Sequence, residues 1–86
     1  PEARRYYAEA LWQNGSRQEA MKQLQEAALL CPSDPLVRRR MAEYELELGN
    51  LERATALADE GLGLAPQDPA SWVMRAKVRE RAGQLD

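Results

Sequence analysis

A period of 34 residues constrains this chain more than any other feature. Pro1, Pro35 and Pro69 stand 34 residues apart, as do Gly15, Gly49 and Gly83, and as do Pro32 and Pro66. Residues 1–34 laid over 35–68 without a gap agree at 11 positions: Pro1/Pro35, Arg4/Arg38, Arg5/Arg39, Ala8/Ala42, Glu9/Glu43, Gly15/Gly49, Ala20/Ala54, Glu26/Glu60, Leu30/Leu64, Pro32/Pro66 and Asp34/Asp68. Chance agreement at average residue usage is roughly two. A third copy opens at Pro69 and runs to Asp86, half a period. A unit this short cannot hide its own apolar face, so units must stack on one another to build a shared core. Three segments follow: a first unit over 1–34, a second over 35–68, and the first helix of a third within 69–86.

Each copy reads as two helices. Ala, Leu, Glu, Arg and Gln dominate, all strong helix formers, and the chain has no Phe, no Ile and one Thr. Asp34-Pro35 and Asp68-Pro69 set an N-cap acceptor before a proline at the first helical position. Gly15, Gly49 and Gly83 stand where the first helix of a copy must stop, since glycine accepts the left-handed C-cap conformation. Ser16 or Asn50 then caps the next helix, and Ser16 with Glu19 forms a capping box. Pro32 and Pro66 end that second helix. The spacing predicts helices near 2–14, 17–31, 36–48, 51–64 and 70–82.

The pattern resembles that of the tetratricopeptide repeat, whose 34-residue unit carries W-x2-L-G-x2-Y, then A-x3-F, then P. The first copy reads Arg4-x2-Tyr7-Ala8-x2-Leu11, then Ala20-x3-Leu24, then Pro32; the second reads Arg38-x2-Met41-Ala42-x2-Glu45, then Ala54-x3-Ala58, then Pro66. The third begins Trp72-x2-Arg75-Ala76-x2-Arg79. The resemblance covers the whole chain. It implies an all-α fold, a right-handed α-solenoid of antiparallel helix pairs, about two and a half units in five helices. Three departures stand out. Glu45, Arg75 and Arg79 take places that are usually apolar, Arg4 and Arg38 replace the bulky aromatic of the first turn, and Gly61 and Gly63 fall inside the fourth helix. Gly61 matches a site that is small in the family; Gly63 has no physical account beyond fraying of the last turn.

Composition removes most chemistry. The chain has no histidine, so the commonest general base and metal ligand is missing. Cys31 has no imidazole to activate it and reads as packing. Glu43 and Glu47 lie one turn apart, yet metal sites in helical bundles want converging ligands from facing helices, so a solvated face is the plainer reading. No catalytic, cofactor-binding or metal residue is assigned, and no enzyme, cofactor or small-molecule substrate is expected. A net charge of −2 argues against a general nucleic-acid or anionic-membrane binder, and no apolar run approaches the about 20 residues that cross a bilayer. A lone cysteine fits a reducing compartment, which makes a cytoplasmic setting the expectation. The opening on Pro1 reads as a segment of something longer.

The resemblance implies a function: first helices of stacked units line a concave surface that takes a peptide or helix of a partner protein. Carried over, the groove is lined by Glu2, Arg5, Tyr6, Glu9, Trp12 and Gln13, then Leu36, Arg39, Arg40, Glu43 and Glu47, then Ala70, Val73, Met74, Lys77 and Arg81. The residues singled out for partner contact are Arg5, Tyr6, Glu9, Trp12, Arg39, Arg40, Glu43, Glu47 and Lys77. Interface hot spots favour Trp, Tyr and Arg. Trp12 has two readings, one facing the groove and one folded onto a neighbouring helix. Arg38-Arg39-Arg40 also has two: an anion or acidic-peptide patch, or a solvated face neutralised by Glu2, Glu9, Glu43 and Glu47. Tyr7, Tyr44 and Trp72 fall on core-type positions. The family's clamp for chaperone C-termini is not matched, because of its positions only Arg5 is chemically equivalent here. Two other roles stay open: a structural spacer in a longer solenoid, and an RNA-binding helical repeat, which the net charge of −2 opposes.

Two structural expectations follow. Glu45 should lie within salt-bridge reach of Arg79 or Arg38, because an unpaired carboxylate in a packed seam is costly. The fifth helix should act as a C-terminal cap, with Trp72, Val73 and Ala76 packing backwards and Arg75 and Arg79 facing out. Apolar area left on that helix should drive weak self-association at high concentration.

Overall fold

The computed structural model describes residues 2–83. It contains five helices: α1 (Glu2–Gln13), α2 (Arg17–Leu30), α3 (Pro35–Leu48), α4 (Leu51–Leu64) and α5 (Pro69–Gly83). All lie within two residues of their expected bounds. Local chemistry explains most of the punctuation. Asp34 accepts a hydrogen bond from the Leu36 amide at 3.0 Å, and Asp68 accepts one from the Ala70 amide at 3.0 Å. Each thereby satisfies an amide at the start of a helix that opens on proline. Gly15 and Gly49 take left-handed φ values of 91° and 85°. Beyond them, Ser16 N–H reaches Leu11 C=O at 2.8 Å and Asn50 N–H reaches Glu45 C=O at 2.9 Å, the six-to-one bond of a Schellman ending. An L-residue with a side chain would be strained at either glycine.

Two boundary expectations are corrected. Gly83 is the last residue of α5 and does not take the left-handed conformation. Neither Ser16 nor Asn50 makes a side-chain cap bond, so there is no capping box with Glu19. Asn50 instead donates its side-chain N–H to the charged Glu45 carboxylate at 2.9 Å. α2 and α4 end at Leu30 and Leu64, as expected of helices stopped by Pro32 and Pro66.

α1 packs on α2 and α3 on α4, while α2 with α3, and α4 with α5, join these pairs into one stack. The result is an all-α repeat solenoid. The shared core contains Ala8, Trp12, Ala20, Leu24, Ala27, Val37, Met41, Tyr44, Leu57, Ala58, Met74 and Val78. Ala8, Ala20, Ala42 and Ala54 are all 0% exposed, because small residues let the paired helices approach closely. Gly61 serves the same end: a Cβ there would touch Arg39 Cγ at 3.5 Å and Arg38 Cβ at 3.6 Å. Leu24 is fully buried, and such a side chain stabilises the fold by about 2 kcal/mol.

Burial departs from expectation at the aromatics and along α5. Tyr44 is buried, but Tyr7 is 53% and Trp72 51% exposed, although both occupy core-type positions. Residues at these places are covered only where a neighbouring helix lies over them. On α5 the residues that pack backwards are Ser71, Met74 and Val78, whereas Trp72, Val73 and Ala76 are exposed. Trp72 satisfies its indole N–H on the Pro66 carbonyl at 2.8 Å.

Glu45 is 4% exposed and is paired, but not with Arg79 or Arg38. Its carboxylate accepts from Arg53 and Asn50, both supplied by the α4 side of its own helix pair. Arg38 turns instead to Glu60 at 3.6 Å, as Arg4 turns to Glu26 at 2.7 Å. These two bridges are one interaction repeated a period apart. Arg4/Arg38 and Glu26/Glu60 are all identities of the repeat, so the pairing was visible as a joint recurrence of opposite charges.

Candidate functional site

The concave side carries two adjoining hollows between α1, α3 and α5. The first, of about 310 Å³, is lined by Arg5 of α1, Leu36, Arg39, Arg40 and Glu43 of α3, and Ala70, Val73, Met74 and Lys77 of α5. The second, of about 360 Å³, is lined by Glu43, Leu46 and Glu47 of α3 and by Met74, Lys77, Glu80 and Arg81 of α5. Glu43, Met74 and Lys77 belong to both, so the two form one trough. One end has an apolar floor with cationic walls, and the other mixes carboxylates with Lys77 and Arg81. Leu36 is 41% and Val73 54% exposed, which leaves apolar surface on the floor that none of the described residues covers.

The sequence-designated residues divide into uncommitted and committed ones. Arg5 lines the trough half-buried, its guanidinium 4.8 Å above the exposed ring of Tyr6. Its Nε is buried and has no hydrogen-bond partner among the described residues. Lys77 is exposed in the middle of the trough. Neither cation has a salt bridge among the described residues. Tyr6 lies on the α1 surface, 59% exposed, outside both hollows. Gln13 sits away from the trough, in a shallow depression with Tyr7, Ala10, Leu11 and Asn14.

Arg39 and Arg40 are engaged within the chain. Arg39 meets Asp68 at 2.6 Å, and Arg40 reaches Glu9 at 2.5 Å and Glu43 at 3.4 Å. The arginine run is therefore neutralised one residue at a time, Arg38 by Glu60, Arg39 by Asp68 and Arg40 by Glu9 and Glu43. Cations in the first turn of a helix oppose its dipole, and these carboxylates offset that cost. The Arg39 hydrogen bond is the main cause that holds the Asp68 carboxyl below the usual carboxylate range, with the Ala70 amide second.

Trp12 is packed rather than open to the groove. It is 9% exposed, stacked on Tyr44 with centroids 3.9 Å apart and planes 3° from parallel. Its indole N–H donates to Glu47 at 2.9 Å, and Arg17 lies 4.7 Å over its ring. Trp12 thus acts on the groove indirectly, by orienting the Glu47 carboxylate. Burial is the first cause that raises the Tyr44 hydroxyl pKa; nearby Arg40 opposes it, while Glu9, Glu43 and Glu47 add to it. Leu46 and Glu80 also line the trough and were not singled out in the sequence. Glu80 is three residues after Lys77 on α5, so the helical spacing of its neighbours was the available signal.

Among the described residues, no group of three or more His, Cys, Asp or Glu gathers where a metal ion could be held. No helix among them is long and apolar enough to cross a membrane. The trough combines an apolar floor with charges of both signs. A family model described as the tetratricopeptide repeat matches residues 1–44, about half of the chain. No curated protein matches the sequence. With a 34-residue period, antiparallel helix pairs stacked on small residues and that match, the chain belongs to the tetratricopeptide-repeat family, whose members are typically non-catalytic interaction or scaffold modules.

Proposed function

We propose that this chain binds an extended peptide or a helix of a partner protein in the trough between α1, α3 and α5. The observation that carries the reading is the co-occurrence of exposed Leu36 and Val73 with the uncommitted cations Arg5 and Lys77 and the acids Glu47 and Glu80. Apolar floor supplies affinity, and separated charges fix the direction of the ligand. Leu36 and Glu47 are 11 residues apart on α3, about 16 Å along the axis. That length accommodates about five extended residues. The contacts fall to Arg5, Glu43, Glu47 and Lys77; Glu9 and Arg40 shape the wall through their bridge to one another and Arg39 through its bridge to Asp68, and Trp12 sets Glu47.

A spacer role in a longer solenoid is the second reading. It draws on the internal neutralisation of Arg39 and Arg40, which removes two groove cations from any ligand. Panning a random peptide library on the whole chain separates the two. Peptides that bind the wild type and are lost on the Lys77→Glu, Glu47→Lys double variant support groove binding. Failure to enrich any peptide supports the spacer, and enrichment of the same peptides on the double variant places binding outside the trough.

The exposed apolar side chains of α5, Trp72 and Val73, also suit weak self-association of the 86-residue chain. Light scattering across a concentration series should show mass rising toward millimolar protein. The rise should diminish in Trp72→Ser; a constant monomer mass would refute it.

A further inference from the structure

We propose that the cleft between α2 and the α3–α4 turn is a second binding site, which takes an acidic segment of a partner protein. The cleft, of about 480 Å³, shares no lining residue with the trough. Its charged lining is Arg17 and Lys22 from α2, Arg53 from α4 and the buried carboxylate of Glu45. The chain as a whole carries a net charge of −2, yet this cleft carries three cations and one acid.

Glu45 and Arg53 neutralise one another. Arg17 and Lys22 remain, and neither has a salt bridge among the described residues. Arg17 is held in place by its position 4.7 Å over the Trp12 ring, so part of its ordering cost is met before any ligand arrives. The first turns of α2 and α4 both border the cleft, through Arg17 and Gln18 and through Arg53. Neither helix start has a side-chain cap bond, although the first amide of α4, Leu51 N–H, is met by the Gly49 carbonyl at 3.1 Å. With Glu45 and Arg53 paired, the two exposed cations leave the cleft with an excess of positive charge.

The remaining lining selects a protein segment over a bare anion. Leu48 is 43% exposed, and Met21 lies beside it. An aspartate or glutamate next to an apolar side chain satisfies both features at once: the carboxylate meets Arg17 and Lys22, and the apolar side chain covers Leu48. Because trough and cleft share no residue, one partner segment can occupy each at the same time.

The probe is an acetylated, amidated peptide with an Asp-Leu-Glu core between glycines, titrated into the intact chain at low ionic strength and followed by amide NMR shifts. The expected shifts fall on residues 17–25 and 48–53 and spare the surroundings of Lys77. Lys22→Glu should weaken binding about fivefold, the effect of one exposed ion pair of about 1 kcal/mol. Lys22 is exposed, so helicity should not change, and Arg17→Gln provides an independent variant with the same expected direction. Shifts confined to the trough, or none, overturn the proposal. Equal shifts with inorganic phosphate or a single-stranded oligonucleotide overturn it too, since they reveal an unselective anion site.

Discussion

α3 and α5 hold equivalent places in successive helix pairs, yet they are packed very differently. α3 buries Val37, Met41, Ala42, Tyr44, Glu45 and Leu46; α5 buries Ser71, Met74 and Val78. Ala42 is 0% exposed, while Ala76, one period later, is on the surface. At the place where Val37 fills the core, Ser71 buries a hydroxyl that has no hydrogen-bond partner among the described residues. α3 packs against α2, α4 and α5 and meets α1 through the Trp12–Tyr44 stack, whereas α5 packs mainly against α4 and less against α3. In a stacked fold, a position becomes core through its neighbours and not through its place in the repeat.

The sharpest way to break this contrast is a matched pair of substitutions. Ala42→Leu should cost 1–3 kcal/mol or about that, because a branched side chain overfills a closed seam. Ala76→Leu should fall within about 0.5 kcal/mol of wild type. Urea denaturation of both variants measures the difference; equal effects would show that α5 is covered as α3 is.

Next comes the seam carboxylate. Arg53→Ala leaves Glu45 buried without its cation and should cost about 2 kcal/mol. Arg79→Ala, one period after Glu45, should be silent. Glu45→Leu should sit within about 1 kcal/mol of wild type, since Arg53 is 58% exposed at its side chain and can return to water. Thermal melts of the three variants test the order, and a Glu45→Leu loss larger than that of Arg53→Ala would contradict it.

Ser71 offers a gain instead of a loss. Removing an orphaned hydroxyl should stabilise the chain, so Ser71→Ala should raise stability by about 0.5–1 kcal/mol. A lowered midpoint in denaturant would mean that the hydroxyl has an acceptor after all.

The smallest effects are in the pH dependence. Asp68 titrates below its ordinary value, so its contribution is present above the unfolded carboxylate pKa and is lost as pH falls through the lower folded value. Asp68→Asn should flatten the acid limb of a stability-versus-pH curve below about pH 4. Tyr44 titrates above its ordinary value, so its contribution is present below about pH 10 and is lost as pH rises through the folded value. Tyr44→Phe should flatten the alkaline limb. Unchanged limbs in these variants would place the pH sensitivity in other groups.

The helices and their order were legible in the sequence because their causes are local. Asp before Pro, and Gly at a left-handed turn, act within one or two residues. The 34-residue period then required stacking, since no single unit can bury its own apolar face. The lining of the trough was legible in part: the resemblance implied its α3 and α5 walls and Arg5, but Glu2, Tyr6, Glu9, Trp12 and Gln13 do not line it, while Leu46 and Glu80 do without having been singled out. What tertiary structure decided was which of those residues remain free. Arg39 and Arg40 read as groove cations but are held by Asp68 and Glu9, acids 29 and 31 residues away in the chain. Trp12 read equally as exposed or packed; its stack on Tyr44 and its bond to Glu47 settled the matter through partners 32 and 35 residues on. Tyr7 and Trp72 have core-type positions, but their exposure depends on which helices lie against them. Backbone chemistry is dictated by neighbours in sequence, whereas burial and charge pairing are dictated by neighbours in space.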